Sequence, residues 1–191
     1  MKLIFASGNA HKLRELNDKT PADIEVISMR KRGYDGDIEE PGATLEENAK
    51  IKAEFIHDLF GESDFADDSG LEIDQLNGAP GVYSARYAGP GCTFTDNNAK
   101  VLRELGETGN RTARFRTVIH LILDGQHHRF YGTVNGTITK EIRGVDGFGY
   151  DPIFVPDGFD RTFAEMTLEK KNAISHRAKA VQALVDFLRS R

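Results

Sequence analysis

Phe65-Ala66-Asp67-Asp68-Ser69-Gly70-Leu71-Glu72-Ile73 carries an apolar approach into two adjacent carboxylates, a small hydroxyl residue and a glycine, after which apolar residues resume. The pattern predicts a strand that delivers Asp67 and Asp68 to its tip, turns at Ser69-Gly70 and continues as further strand. Neighbouring carboxylates repel, so keeping both ionised in a partly buried site is costly. A hard cation such as Mg²⁺ removes that cost, and Mg²⁺ usually arrives with substrate phosphates. Read alone, the stretch fits a solvated turn better, because Asp, Ser and Gly are ordinary turn residues. The flanking segments reverse that balance.

Upstream, Leu3 to Ala6 reads as a buried first strand. Ser7-Gly8-Asn9-Ala10-His11-Lys12 follows and leads into a helical run through Leu13 and Leu16. A strand, a glycine turn and a helix start point backbone N–H groups at an anion, and Lys12 adds a point charge. The glycine spacing and the Gly-Lys-Ser/Thr ending of a P-loop are absent, so a plain strand-to-helix turn remains an equal reading. Ile24 to Ile27 reads as a second strand, and residues 29–43 as a polar loop without clear period that carries Glu39-Glu40-Pro41-Gly42. Loops of that length inside a compact domain are often functional. A helix is expected from Thr44, which has capping-box spacing to Glu47. Leu45, Ala49, Ala53, Ile56 and Phe60 form its apolar stripe, with Asn48 and Lys52 one turn apart on a neighbouring face. By itself Lys52 reads as a solvated lysine. His57-Asp58 lacks companion histidines at ligand spacing and carries no assignment.

Downstream, Gly78 to Gly89 is a glycine- and proline-punctuated loop with two tyrosines and Arg86. Arg86 either reaches phosphate oxygens in bidentate fashion or braces its own loop. Thr95 to Leu105 reads as a helix with Ala99, Leu102 and Leu105 buried and Gly106 as its stop. Thr112 to Leu123 is the longest strand signal, and Asp124-Gly125 marks a hairpin. His120, His127 and His128 are expected on its surface. Gly147-Phe148-Gly149 brackets an aromatic ring with glycines, so backbone can approach a ligand closely while Phe148 stacks on a planar base; a glycine-rich hairpin with a core phenylalanine accounts for it equally. Ile153 to Val155 reads as a last strand. Lys171, His176 and Arg177 gather at the start of a C-terminal helix with Ser175 as N-cap and Val181, Leu184, Val185 and Leu188 as its core stripe. Cations gain nothing from that end of a helix dipole, so they point to an anionic or hydrogen-bond-accepting ligand.

Of 191 residues, 39% are hydrophobic and 29% charged, the range of an ordinary globular protein. A formal net charge of -5 argues against a large nucleic-acid-binding surface. The one cysteine, Cys92, excludes an intrachain disulfide. The apolar run at Met1 to Ala6 is too short for a secretory signal, so a cytoplasmic location is expected.

Taken together, Ser7-Gly8-Asn9 with Lys12, Ala66-Asp67-Asp68-Ser69-Gly70-Leu71, Gly78-Ala79-Pro80-Gly81 with Ser84-Ala85-Arg86-Tyr87, Gly147-Phe148-Gly149-Tyr150-Asp151-Pro152 and Ser175-His176-Arg177 closely resemble the inosine triphosphate pyrophosphatase family, the dITP/XTP pyrophosphatases. The resemblance runs from residue 3 to about residue 188. The family's common threonine before Gly8-Asn9 is Ser7 here, which keeps the hydroxyl.

The resemblance implies an α/β fold with a long bent mixed sheet flanked by helices, in a single domain of two lobes spanning residues 1–191 with a substrate cleft between them. It implies a homodimer and hydrolysis of the α–β phosphate bond of ITP, dITP and XTP to monophosphate and pyrophosphate, while the net charge and the lack of a long apolar run predict no nucleic-acid or membrane partner. By the match, Asp68 binds Mg²⁺ (Mn²⁺ being the alternative metal) and activates water, Glu40 completes the acidic site, and Asp67 is a further metal-ligand candidate. Ser7, Gly8, Asn9, Ala10, His11, Lys12 and Lys52 hold the triphosphate, with Ser69 beside the metal and Arg86 in reach. Phe148 stacks on the base, Gly149, Tyr150 and Asp151 form a wall, and Lys171, His176 and Arg177 supply donors. A 6-keto purine accepts at O6 where adenine carries an amine, so such donors select against adenine. A nucleotide sensor without catalysis, and a pyrophosphatase for other modified nucleotides, are the alternatives. Binding phosphate needs donors rather than Glu40, Asp67 and Asp68, which argues against the sensor.

Overall fold

The computed structural model describes residues 1–17 and 19–191. Twelve helices and strands are labelled here in chain order. They run β1 (Lys2–Phe5), α1 (Ala10–Asn17), β2 (Glu25–Ser28), α2 (Met29–Arg32), α3 (Leu45–Phe60), β3 (Asp64–Ile73), α4 (Phe94–Leu105), β4 (Thr112–Leu123), β5 (Gln126–Ile138), β6 (Phe154–Pro156), α5 (Leu168–Ile174) and α6 (His176–Arg189). The sheet order is β2-β1-β3-β4-β5-β6. β1 pairs parallel with β2 and with β3, whereas β5 pairs antiparallel with β6, so the sheet is mixed. β4 and β5 are sheet neighbours joined at Asp124 and Gly125, whose φ of 52° and 74° suits a tight hairpin turn. The α/β class with a mixed sheet flanked by helices therefore holds.

Two compact units make up the chain. Met1–Asp68, Thr117–Gly132 and His176–Arg191 form the first; Ser69–Arg116 and Thr133–Ser175 form the second. In the first, Leu3, Phe5 and Phe65 pack with Ile119, Leu121 and the α6 stripe Val181, Leu184, Val185 and Leu188. A second cluster there joins Ile4, Ala6 and Ala66 to Ala53 and Ile56 of α3. β1 thus buries side chains into both clusters, which is why its sequence is a continuous apolar run. In the second unit, Leu71 and Ile73 pack with Val101, Phe115, Phe154 and Phe163.

Five expectations are corrected. β3 does not turn at Ser69-Gly70: it runs unbroken from Asp64 to Ile73, because Leu71 and Ile73, both fully buried, draw the strand onward into core. Asp67 and Asp68 accordingly sit in mid-strand. The segment after β2 opens with a helical turn, α2, in which Ser28 accepts the Lys31 N–H at 3.2 Å. On α4, Leu105 is buried as expected, but Ala99 is exposed and Leu102 half-buried; Asn97, Asn98 and Val101 are buried instead. Val101 and Leu105 pack on Leu71, Ile73 and Phe115 of the sheet, whereas loops cover the first turn: Asn97 accepts the Ala88 N–H at 2.7 Å and Asn98 donates to the Gly149 carbonyl at 2.9 Å. Buried loop backbone needs polar partners, so amides replace aliphatics there. His120 is buried rather than on the strand surface, because β4 is enclosed on both faces from Thr117 onward. Finally, α5 occupies a stretch read only for its lysine, with Thr167 as N-cap. Among the described residues, no helix is long and apolar enough to cross a membrane.

Candidate functional site

In the first unit, β1 ends at Phe5 and the chain enters α1 through Ser7-Gly8-Asn9. Asn9 Oδ1 accepts the His11 and Lys12 N–H groups at 2.9 and 3.2 Å, and Ser7 Oγ accepts the Asn9 N–H at 3.2 Å. The turn expected to face an anion therefore caps its own helix through Asn9. It also aims Lys12 across to β3, where Nζ meets Asp67 Oδ1 at 2.9 Å.

Asp67 is 2% exposed and is held from a second side by Arg177 of α6, whose Nε lies 3.3 Å from Oδ2. Burial alone would raise its pKa, but the charges of Lys12, Arg177 and Lys52 outweigh burial and hold the carboxyl below the usual carboxylate range. Asp67 thus sits in ion pairs that bring two cations from distant parts of the chain to one carboxylate.

Asp68, the next residue, points to the opposite face of the strand. Its partners come from α3: Asn48 Nδ2 lies 3.2 Å from Oδ2 and Lys52 Nζ 3.6 Å from Oδ1. Lys52 also forms an ion pair with Glu40, from the loop before α3. Its ammonium therefore bridges the two carboxylates. Burial raises the pKa of Asp68, and the neighbouring Glu40 and Asp67 charges add to the effect, while Lys52 and Lys12 oppose it. For Lys52, burial disfavours the charge, yet Asp68, Glu40 and Asp67 together raise its pKa. Lys52 is buried, not solvated: an ammonium is drawn in wherever two carboxylates would otherwise repel.

Glu47 shows how α3 holds its entry loop. Its N–H is capped by Thr44 Oγ1 at 3.1 Å, while its carboxylate reaches past Thr44 to accept the Ala43 N–H at 2.7 Å. The next residue, Asn48, accepts the Gly42 N–H at 2.8 Å. Arg30 at the start of α2 lies beside the first turn, since a Cβ on Gly8 would stand 3.1 Å from its Nε. Neither Asn48 nor Arg30 was assigned a role from sequence. The signal for Asn48 was its position one turn before Lys52, on the edge of an apolar stripe.

In the second unit, a separate constellation surrounds Phe148. Asp151 Oδ2 accepts both the Phe148 N–H and a bond from Lys171 Nζ, each at 2.8 Å. Lys171 Nζ stands 4.6 Å from the Phe148 ring centroid, a cation–π distance. Phe94 flanks the same ring at 6.2 Å between centroids. Tyr150 is buried and donates to the Ser84 carbonyl at 2.7 Å, and burial raises its phenol pKa, so it stays a neutral donor. Arg86 ends a 3-10 turn over Gly81–Arg86, is exposed, and lies 5.4 Å from the Tyr83 ring. Ser69 is half-buried in β3. His176 is buried at the start of α6, beside Arg177.

Among the described residues, no group of three or more His, Cys, Asp or Glu side chains is set to hold a metal ion. Mg²⁺ needs no such cage, since one or two carboxylates plus phosphate oxygens and water suffice. Asp68 and Glu40, drawn together by one ammonium, are a donor set of that kind, so these residues fit the ion.

The Ham1 family profile matches residues 3–187. The dITP/XTP pyrophosphatase of Flavobacterium johnsoniae is 49% identical over 188 residues, covering 98% of each chain. That of Porphyromonas gingivalis is 50% identical, covering 98% of this chain and 97% of its own. Among solved structures, a HAM1 protein from Coxiella burnetii superposes with a TM-score of 0.93 at 40% identity over 100% of both chains. The Staphylococcus aureus Ham1 protein gives 0.91 at 41% identity, over 100% of this chain and 99% of its own. The shared fold, the near-complete coverage and the identity to these relatives lead to one conclusion: this chain belongs to the Ham1 family.

Proposed function

We propose that the protein is a nucleoside-triphosphate pyrophosphatase that hydrolyses non-canonical purine nucleotides of the dITP, ITP and XTP type to monophosphate and pyrophosphate. The observation that carries the reading is the packing of two carboxylates, Asp68 and Glu40, around one ammonium, next to a third carboxylate, Asp67, that gathers Lys12 and Arg177. A group of cations answers a polyphosphate, and a pair of carboxylates answers a metal and a water. The dITP/XTP pyrophosphatase names of relatives that match over 98% of this chain support the same substrate class.

Asp68 and Glu40 would hold Mg²⁺, or Mn²⁺ in its place. When bound there, the ion supplies charge neutralisation at the phosphate oxygens and a lowered pKa for water. Asp68 would orient the attacking water and take its proton. The water oxygen bonds to the α-phosphorus, the bridging bond to the β-phosphate breaks, and that oxygen leaves on pyrophosphate. Lys12, Lys52 and Arg177 neutralise the phosphates, with Ser7, Gly8, Asn9, Ala10 and His11 of the turn, and Ser69, as further contacts. Asp67 carries the cations and does not need to touch the metal. In-line displacement of this sort asks the protein for position and charge rather than covalent chemistry.

Base recognition falls to the second unit's constellation. Phe148 offers a face for stacking. Lys171 is fixed by Asp151, and its remaining hydrogens suit a 6-keto oxygen. The same reading carries a homodimer, a cytoplasmic location and no nucleic-acid partner, in line with the net charge of -5.

Product analysis tests the reaction. With dITP, Mg²⁺ and ¹⁸O-labelled water, phosphorus NMR should show monophosphate and pyrophosphate, with the label on the monophosphate. Release of orthophosphate and a diphosphate, or label on pyrophosphate, would overturn the assignment.

A further inference from the structure

Asn48 is 0% exposed, yet it lies on the helix face that meets two polar segments. Its Nδ2 donates to Asp68 Oδ2 at 3.2 Å, and its Oδ1 accepts the Gly42 N–H at 2.8 Å. The amide orientation follows from those partners, since a carboxylate needs the NH₂ and a backbone N–H needs the oxygen. Gly42 stands two residues after Glu40. One planar side chain therefore ties the loop that carries one acidic group to the strand that carries the other.

The approach is close. A Cβ on Gly42 would stand 2.6 Å from Asn48 Oδ1 and 2.7 Å from Glu47 Cβ, so only glycine lets the loop lie against α3 here. Glu47 holds the adjoining Ala43 N–H, so two consecutive side chains of the first turns of α3 grip two consecutive amides of the loop. One helical turn on, Lys52 approaches the other oxygen of Asp68 and pairs with Glu40. The two side chains divide the work: Lys52 supplies charge, and Asn48 supplies direction.

We propose that Asn48 is a positioning residue that sets the separation and orientation of Asp68 and Glu40 by holding the Asp68 carboxylate and the Gly42 amide at once. The inference rests on the pyrophosphatase reading for its kinetic consequence but not for its geometry. Chemistry makes the position demanding. Asp keeps the acceptor for Gly42 and loses the donor for Asp68; Leu keeps the approximate volume and loses both.

The test uses the full chain as wild type, Asn48→Asp and Asn48→Leu, with hydrogen exchange of the Gly42 amide in metal-free protein and steady-state kinetics on dITP with saturating Mg²⁺. Gly42 should stay protected in wild type and Asn48→Asp, and exchange at least about 10-fold faster in Asn48→Leu. Both variants should lose about 10- to 100-fold in kcat, the range for removing a partner that orients a metal ligand, with KM for dITP within about threefold. A mere structural role would lower melting temperature and the active fraction without that separation between the two variants at Gly42. Asn48→Asp turning over at the wild-type rate would overturn the hold on Asp68. Protection of Gly42 surviving in Asn48→Leu would overturn the hold on the loop. An inactive wild type with Gly42 behaving as stated would instead overturn the pyrophosphatase reading and leave the geometry standing.

Discussion

Replacing Asp67 by Asn should destabilise the protein more than any surface charge change, and the loss should depend on pH in a defined direction. Asp67 is 2% exposed, and its partners Lys12 and Arg177 have side chains 15% and 4% exposed. Asn keeps the shape but removes the charge and turns an NH₂ toward a cation. Removing one partner of a buried pair costs about 3–5 kcal/mol, because the remaining charges stay uncompensated. For a chain of this size each kcal/mol moves the melting temperature by about 2–4 °C, so Asp67→Asn should melt about 6–20 °C lower at neutral pH. Burial disfavours the Asp67 charge, but Lys12, Arg177 and Lys52 outweigh it and lower the pKa. A carboxylate with a lowered folded-state pKa contributes stability that is complete above the unfolded value, about 4, and is lost as pH falls through the folded value. The gap between wild type and variant should therefore be full at pH 6 and narrow toward pH 3. Thermal and urea unfolding, each followed by circular dichroism across that range, are the assay. A melting change below about 2 °C at neutral pH, or a gap that does not change with pH, would refute the reasoning.

Three other outcomes follow from the same structure. Phe148→Leu should raise KM for dITP about 5- to 150-fold, the size of one base–aromatic stack, with melting almost unchanged because the ring is only half-buried; an unchanged KM would remove stacking from the account. Gly132→Ala should lower the melting temperature by about 2–12 °C, since its Cβ would stand 1.9 Å from the His176 carbonyl oxygen. Gly109→Ala, where a Cβ meets nothing within 4 Å, should not, and equal effects at both sites would contradict the close approach. Burial and the charges of His127, Arg129, Lys50 and His128 lower the pKa of His120 to about 4. Stability should then be complete above pH 6.5 and fall by up to about 3 kcal/mol as pH drops toward 4, measured by urea unfolding of wild type against His120→Leu. A variant with the same slope would assign it elsewhere.

Local pattern was enough wherever a segment's own neighbours settle its fate. β1, β4 and the hairpin at Asp124-Gly125 lie where alternation and turn chemistry put them. Thr44 caps α3 as its spacing to Glu47 requires. What pattern could not carry was information held by partners far along the chain. Lys52 looked solvated because helical periodicity says nothing of Asp68 and Glu40. Arg177 and Lys12 are separated by most of the sequence and meet only because both answer Asp67. Ser69-Gly70 has turn composition, but the buried Leu71 and Ile73 keep it extended. On α4, Asn97 and Asn98 took the buried places because loops, with their unsatisfied amides and carbonyls, pack on its first turn. The motifs of the candidate site were legible as residues; which carboxylate faces which cation was not.

The central claim is most directly tested by pyrophosphate release from ITP, XTP, GTP and ATP, with Mg²⁺ or with EDTA, for wild type and Asp68→Asn. Loss of one preorganised charged group costs on the order of 3 kcal/mol of transition-state stabilisation, about 100-fold in rate. The account predicts metal-dependent release that strongly favours ITP and XTP and falls at least that far in the variant. Equal release from all four nucleotides, or full activity of Asp68→Asn, would contradict it.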